Sequence, residues 1–173
     1  MLTIIAVVIV LIAVVLIYAA TKPDSFRIER SATIKASPEK VFALINDFRA
    51  WGVWSPWEKM DPKLKRSFSG ATSGEGTVYA WEGTSRVGAG RMEITESLPS
   101  SKIIIKLDFF KPFEAHNTAE FTLKPAGDST TVTWAMYGPS PYIAKVMTIF
   151  FNMDKTVGKS FEEGLANMKA AAE

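Results

Sequence analysis

The sequence lacks cysteine entirely and has a single histidine, His116, among its 173 residues. Without cysteine the chain can form no disulfide bond, no thiolate metal site and no cysteine nucleophile. A lone histidine, with no carboxylates clustered at ligand spacing, argues against a metal site. The glycines of residues 70–76 lack the Lys-Ser/Thr pair and the following helix of a phosphate-binding loop. We therefore expect neither a metal nor a cofactor.

Long runs of like charge are also missing. The chain has 20 Lys and Arg against 18 Asp and Glu, and the charges are scattered along it, for a net charge of +2. This pattern gives little support to nucleic-acid binding. Charged residues make up 22% and hydrophobic residues 47%, close to the values of globular proteins. We expect one folded domain with a substantial core.

One long apolar run stands out from this ordinary composition. Residues 2–20 carry no charged side chain and span roughly 28 Å as a helix, about the hydrocarbon thickness of a bilayer. Met1 leads directly into the run, without the basic start and the small-residue cleavage site of a signal peptide. We therefore expect residues 1–21 to be a retained transmembrane anchor in the membrane bilayer, and residues 22–173 to be a soluble domain.

The basic residues around this run predict its orientation. None precedes it, and those that follow are Lys22, Arg27, Arg30, Lys35 and Lys40. By the positive-inside rule, the soluble domain is predicted to be cytoplasmic. Only a short link, about residues 21–25, separates the run from the first predicted strand, so the domain should remain close to the bilayer.

Periodicity predicts an α+β domain. Alternation indicates a strand at residues 26–34, and Ser37 with Pro38 indicates the start of a helix that ends around residues 46–49. Period-two patterns separated by turn residues predict six further strands, at about residues 64–69, 76–82, 90–97, 102–110, 115–124 and 129–137. Short turns imply antiparallel pairing, and one face of the resulting sheet is apolar and needs a cover.

The last segment, residues 142–170, is predicted to supply that cover as one long helix. Its apolar residues recur at helical spacing: Ile143, Val146, Met147, Phe150, Met153, Val157, Phe161, Leu165 and Met168. Some thirty residues would span roughly 45 Å, more than a small sheet needs, so we expect a bend near residues 152–158.

Several stretches resemble the START-like superfamily, also called SRPBCC, which includes the polyketide cyclase/dehydrase family. They are RSATIKASPEKVF at residues 30–42, WSPW at 54–57, YAWEG at 79–83, GAGRM at 88–92, TVTW at 131–134 and FEEGL at 161–165. The resemblance covers about residues 25–172. It implies the helix-grip fold, in which a curved antiparallel sheet wraps around the C-terminal helix, commonly with a cavity for a hydrophobic ligand between them.

Large residues of the concave sheet face and of the helix are the predicted ligand contacts. They are Tyr79, Trp81, Met92, Phe109, Phe121, Trp134, Met136, Phe150, Met153 and Phe161. Each would serve equally well in a dry core, because pocket linings and cores share the same composition.

Few polar residues are candidates for catalysis. Strand alternation turns His116 outward, and Glu82 is expected to form a solvated pair with Arg91 across a hairpin. Only a buried Glu82, with a raised pKa, would act as an acid or base.

Three functions therefore stay open. The leading one is a membrane-anchored binding module for a hydrophobic small molecule or lipid. The others are a cyclase- or dehydratase-like enzyme, and a regulatory module that docks a protein partner through the tryptophans of residues 51–57. That tryptophan segment is predicted to wedge short helices against the sheet, with a lid over the cavity or a membrane contact as alternatives.

Overall fold

The computed structural model describes residues 1–173, apart from the side chain of Leu2. Its helices are α1 (Leu2–Ala20), α2 (Pro38–Asn46), α3 (Trp51–Trp54), α4 (Tyr142–Phe150) and α5 (Met153–Ala172). Short 3₁₀ turns at Phe48–Ala50 and Pro56–Lys59 flank α3. The strands are β1 (Ser25–Ile34), β2 (Lys65–Gly70), β3 (Thr77–Glu82), β4 (Ala89–Leu98), β5 (Lys102–Lys111), β6 (Ala115–Ala126) and β7 (Ser129–Pro139).

All seven strands form one antiparallel sheet in the order β1-β7-β6-β5-β4-β3-β2. The predicted meander is confirmed, and β1 joins its far edge by pairing with β7, with Ile28 opposite Met136. The register shifts at Ala89/Gly90 and at Ile94/Glu96, where β4 pairs with β5. Such irregularities bend a sheet and increase its twist, which helps it to wrap around a helix.

Local signals explain the helices that cover the sheet. The Ser37 hydroxyl accepts a hydrogen bond from the Lys40 amide at the start of α2, and Pro38 occupies the first turn. The Asn152 side chain caps α5 in the same way, through the Lys155 amide. Helix α5 buries Phe161, Leu165 and Met168 against the sheet. The predicted α+β helix-grip architecture is confirmed for this part of the chain.

The predicted single C-terminal helix is wrong in one respect. The chain breaks at residues 151–152, at the start of the predicted bend, and gives two separate helices. Helix α4 packs against α1 and leaves most of its large apolar side chains exposed, so it does not cover the sheet. Of the two C-terminal helices only α5 covers the sheet, because α4 packs on α1 and its apolar residues lie away from the sheet.

The strand register places several elements at one end of the sheet. Strand β1 starts there at Ser25, opposite Pro139 at the end of β7. The β3–β4 loop (residues 83–88) and the β5–β6 turn (residues 112–114) lie at the same end, because Ala89 pairs with both Glu82 and Lys111. Since α1 leads into β1, we call this the α1 end of the sheet.

Helix α1 has the length and composition of a membrane-spanning segment. Residues Thr3–Ala20 have a mean hydropathy of 3.1 and are almost wholly exposed in the folded chain. A signal sequence near the N-terminus meets the same criteria, whereas the core helix of a soluble protein would be buried.

Candidate functional site

The tryptophan segment builds one wall of the space between the sheet and α5. Trp51 and Trp54 are buried, and their indole N–H groups donate to the carbonyls of Ile45 (3.0 Å) and Leu44 (2.7 Å) at the end of α2. This arrangement fixes α3 against α2 and supports the predicted structural role of the segment. Trp54 is fully buried and therefore offers no surface for docking a partner.

A cavity of about 400 Å³ lies between the sheet and α5. This volume falls within the usual range for small-molecule sites. Its lining is mainly aromatic and aliphatic. Seven of the ten predicted ligand contacts line it, namely Tyr79, Trp81, Met92, Phe109, Trp134, Met136 and Phe161. The sheet supplies the first six of these side chains and α5 supplies the last.

The other three predicted contacts lie elsewhere. Phe121 is fully buried in the core, between the rings of Trp51, Trp54 and Trp134, and does not reach the cavity. Phe150 ends α4 and Met153 begins α5, and both side chains are exposed. Their assignment to the sheet-covering helix face is wrong. The break at residues 151–152 places Phe150 in the separate helix α4, and Met153 lies in the first turn of α5, where its side chain is exposed.

The cavity lining also contains residues that strand and helix periodicity did not predict as contacts. They are Trp51, Ser55, Trp57, Glu58, Leu64, Ser85, Arg86, Val87, Gly88, Leu107, Pro112, Ala119 and Val157. Most come from irregular segments between helices and strands, among them the 3₁₀ turn before β2 and the β3–β4 loop, where no repeating pattern predicts the direction of a side chain. Ala119 and Leu107 are exceptions, since strand alternation places both on the concave face.

Glu58 is the most informative of these residues. Its side chain is 11% exposed, and its carboxylate accepts a hydrogen bond from the Tyr79 hydroxyl (2.6 Å). The second carboxylate oxygen accepts from Arg66 Nε (2.6 Å), and Arg66 also donates to the Glu58 carbonyl (2.8 Å). A carboxylate paired in this way stays compatible with an apolar wall, because its charge is paired with Arg66 and each of its oxygens accepts a hydrogen bond.

The Glu58 carboxylate also affects the groups around it. Burial raises the pKa of the Tyr79 hydroxyl well above its ordinary value, and the hydrogen bond to Glu58 raises it further. The same carboxylate raises the pKa of Arg66. Tyr79 is therefore neutral and Arg66 is charged over the physiological range, and the cavity wall presents one polar cluster, Glu58, Tyr79 and Arg66.

The polar residues singled out in the sequence lie outside the cavity. Glu82 is solvated, as expected, but its partner is Lys111 (3.3 Å), and Arg91 pairs with Glu93 (2.8 Å). The expected Glu82–Arg91 pair is wrong, because the register sets Glu82 opposite Ala89. The small Ala89 lies between Glu82 and Lys111 in the sheet and lets their side chains meet across it.

His116 lies on the outer sheet face and binds Asp108 through Nδ1 (2.7 Å). That hydrogen bond is the main cause of a raised pKa of His116. Burial opposes ionisation of Asp108, yet the hydrogen bonds from His116 and Lys106 leave its pKa below the ordinary value. His116 is thus part of an outer ion pair and makes no contact with the cavity. Within the described residues, no three His, Asp or Glu side chains gather as a metal site would require.

The exposed members of the lining mark where the cavity opens. They are Ser85, Arg86 and Pro112. All three belong to the β3–β4 loop or the β5–β6 turn, at the α1 end of the sheet. The cavity therefore opens toward the end of the domain at which α1 joins it.

Together, the seven-stranded antiparallel sheet, the C-terminal helix packed on it and the cavity between them define a helix-grip protein. A sequence model of the family described as polyketide cyclase/dehydrase and lipid transport matches residues 25–173. The chain belongs to that family. No curated protein sequence matches the chain.

Solved structures of the same fold cover nearly all of the domain. A Chromobacterium violaceum protein is 15% identical with a TM-score of 0.61, over 88% of this chain and 99% of that one. The major latex-like protein 151 of Panax ginseng is 12% identical with a TM-score of 0.61, over 87% and 99% of the two chains. The di-domain ARO/CYC StfQ of the steffimycin biosynthetic pathway is 12% identical with a TM-score of 0.63, over 86% of this chain and 51% of that one. At these identities the likeness shows the fold alone.

Proposed function

We propose that the chain is a membrane-anchored module that binds a hydrophobic small molecule or lipid in the cavity between the sheet and α5. The observation that carries the proposal is the cavity of about 400 Å³, lined mainly by aromatic and aliphatic side chains. A water-filled space with so few polar partners is unfavourable, whereas an apolar ligand gains from leaving water. The family description, which includes lipid transport, agrees with this chemistry.

The polar cluster on the cavity wall suggests what the ligand looks like. A ligand with a largely hydrocarbon or aromatic body fits the surfaces of Trp81, Met92 and Phe161. A single hydroxyl or amide group on that body can donate a hydrogen bond to Glu58. A ligand with an anionic group beside Glu58 is disfavoured, because two negative charges would meet in a site of low polarity.

The anchor half of the proposal rests on α1. Its exposed apolar surface suits lipid, and residues 21–24 are too few to let the domain move far from the end of α1. The basic residues that follow α1 favour the cytoplasmic side for the domain, by the positive-inside rule. A tethered domain of this kind acts as an acceptor or sensor for molecules drawn from its own membrane.

Native mass spectrometry of the full chain, released gently from the membranes in which it was produced, tests ligand binding. The wild type should carry one bound small molecule per chain. Ala119→Phe, which adds a ring to the cavity wall, should reduce its occupancy at least tenfold. Thr118→Phe is the matched control, because the preceding residue of β6 points to the opposite face of the sheet and should leave occupancy unchanged. Equal occupancy in the two variants, or an empty wild type, would contradict the proposal.

A second candidate function is a cyclase- or dehydratase-like enzyme, and the contact between Glu58 and Tyr79 favours it. A carboxylate and a phenol 2.6 Å apart on a cavity wall can exchange a proton with a bound substrate, one as base and the other as acid. Dehydration would release one water from a hydroxylated substrate, whereas cyclisation alone would leave its mass unchanged. Mass spectra of the bound species should then show loss of one water with time in the wild type, and not in Glu58→Gln. An unchanged ligand mass in both proteins would reject the dehydratase.

A further inference from the structure

Helix α4 has an apolar face that no described part of the chain covers. Ile143, Met147 and Phe150 lie along one side at spacings of four and three residues, and they are exposed, Ile143 by 68% and Phe150 by 66%. Phe151 and Met153, just after the helix, are exposed as well. Such a face on a monomeric soluble protein would be unusual, so it marks an interaction surface.

The opposite side of α4 fixes the direction of this apolar face. Lys145 is only 7% exposed, and its ammonium group forms an ion pair with Asp24 in the link between α1 and β1. That pair lowers the pKa of Asp24, chiefly through the hydrogen bond, so the carboxylate remains charged. With its polar side tied to the domain, α4 turns its apolar side outward.

Contacts with α1 identify what lies on that outward side. The Tyr142 hydroxyl donates a hydrogen bond to the Leu16 carbonyl (2.7 Å), so α4 begins beside the last turns of the apolar span. Tyr18 and Tyr142 are both exposed there, and the Lys22 ammonium lies 5.2 Å from the centre of the Tyr18 ring. Tyrosine and lysine at the end of an apolar helix are typical of the membrane–water interface.

A second apolar patch lies at the same end of the sheet. Phe110 and Phe113, at the end of β5 and in the β5–β6 turn, are 53% and 67% exposed. Strand β5 is three strand spacings from β1, roughly 14 Å across the sheet. The patch and the start of α4, which follows the end of β7, therefore both lie at the α1 end of the sheet.

We propose that the domain rests on the bilayer surface through α4 and the Phe110–Phe113 turn, so that its cavity opens toward lipid. The proposal depends on the membrane-anchored function proposed above. The occupant is the bilayer interface, because the surface is continuous with the apolar span of α1 through Tyr142 and Leu16. Pro112 lines the cavity opening and is next to Phe113, so a ligand can pass between membrane and cavity without crossing bulk water. Exposed Arg86 at the same opening would face the phosphates of the headgroups.

Depth-dependent fluorescence quenching of the full chain in liposomes tests this arrangement. The absence of cysteine allows clean single-site labelling with an environment-sensitive fluorophore at Met147→Cys or Phe113→Cys. Both positions are exposed, so labelling should not disturb folding. Leu98→Cys is the matched control, since Leu98 is an exposed apolar residue that ends β4 at the opposite end of the sheet. Leu11→Cys, within α1, reports insertion of the anchor.

In vesicles of phosphatidylcholine and phosphatidylglycerol, lipids brominated on their acyl chains should quench labels at positions 147 and 113 at least threefold more than at position 98. Quenching at position 11 alone would show that α1 is inserted but that α4 and the Phe110–Phe113 turn do not touch the bilayer. That result would overturn the present proposal and leave the membrane-anchored function standing. Quenching at none of the four positions would overturn both. Labels at 147 and 113 that are shielded from both lipid and aqueous quenchers would show that a second copy of the chain covers the face, which also overturns the proposal.

Discussion

The cost of removing the ring of Phe161 measures whether the cavity is present in solution. Phe161 is buried, stacks on Trp134 with ring centres 4.2 Å apart, and has the cavity on another side. Phe121 is also buried and stacks on Trp134 at 4.9 Å, but it is enclosed by rings and lies away from the cavity. Phe→Ala in a core costs about 3–5 kcal/mol. A side chain that borders empty space loses fewer contacts, so we expect about 3 kcal/mol for Phe161→Ala and about 5 kcal/mol for Phe121→Ala.

Thermal unfolding of the delipidated full chain in mild detergent, followed by tryptophan emission, separates the two variants. A difference of about 2 kcal/mol corresponds to roughly 4–8 °C in Tm for a domain of this size. Phe121→Ala should therefore unfold at the lower temperature. Saturating ligand should raise the Tm of the wild type, by an amount equivalent to about 2.7 kcal/mol at one hundred times Kd. If Phe161→Ala costs as much as Phe121→Ala in the ligand-free protein, the space beside Phe161 is filled and the reasoning fails.

Two further predictions concern the sheet. His116 has a raised pKa because it binds Asp108, so its contribution to stability is fully present below about pH 6.5 and is lost as pH rises through the higher folded-state pKa. The Tm of His116→Gln should accordingly fall below that of the wild type at pH values under about 6.5, and the difference should shrink as the pH rises through the folded-state pKa of His116; a difference independent of pH would refute the role of the ion pair. At Gly90, an added Cβ would lie 2.5 Å from the Trp81 ring and from the Asp108 carbonyl oxygen. Gly90→Val should displace the Trp81 indole and reduce ligand occupancy in native mass spectra, whereas full occupancy would show that Trp81 does not shape the cavity.

The sheet could be predicted from sequence because strand alternation and burial follow the same rule. Each of the six predicted meander strands matches an observed one to within one or two residues at either end, since Gly and Pro turns separate them. For the same reason, it could be predicted that the inward-pointing residues Trp81, Met92 and Trp134 line the cavity. A side chain on a regular strand points to one of only two faces of the sheet, and alternation along the strand predicts which.

Helix periodicity was less informative, because it identifies an apolar face without saying what covers it. Phe150 and Met153 share the spacing of Phe161, yet the chain breaks between Phe150 and Met153, and α4 packs on α1. Glu58 was missed for a different reason. It lies in a short 3₁₀ turn with no repeating pattern, and only the fold brings it to Tyr79, 21 residues further along the chain.

Energy transfer from cavity tryptophans to a bound lipid probe tests the central claim most directly. Trp57, Trp81 and Trp134 line the cavity, so a conjugated polyene fatty alcohol bound there should accept their excitation. The full chain should show saturable transfer at one probe per chain, lost in Ala119→Phe and retained in Thr118→Phe. Transfer that does not saturate, or that survives equally in both variants, would show that the probe lies on the surface or in the detergent and would contradict a ligand site inside the fold.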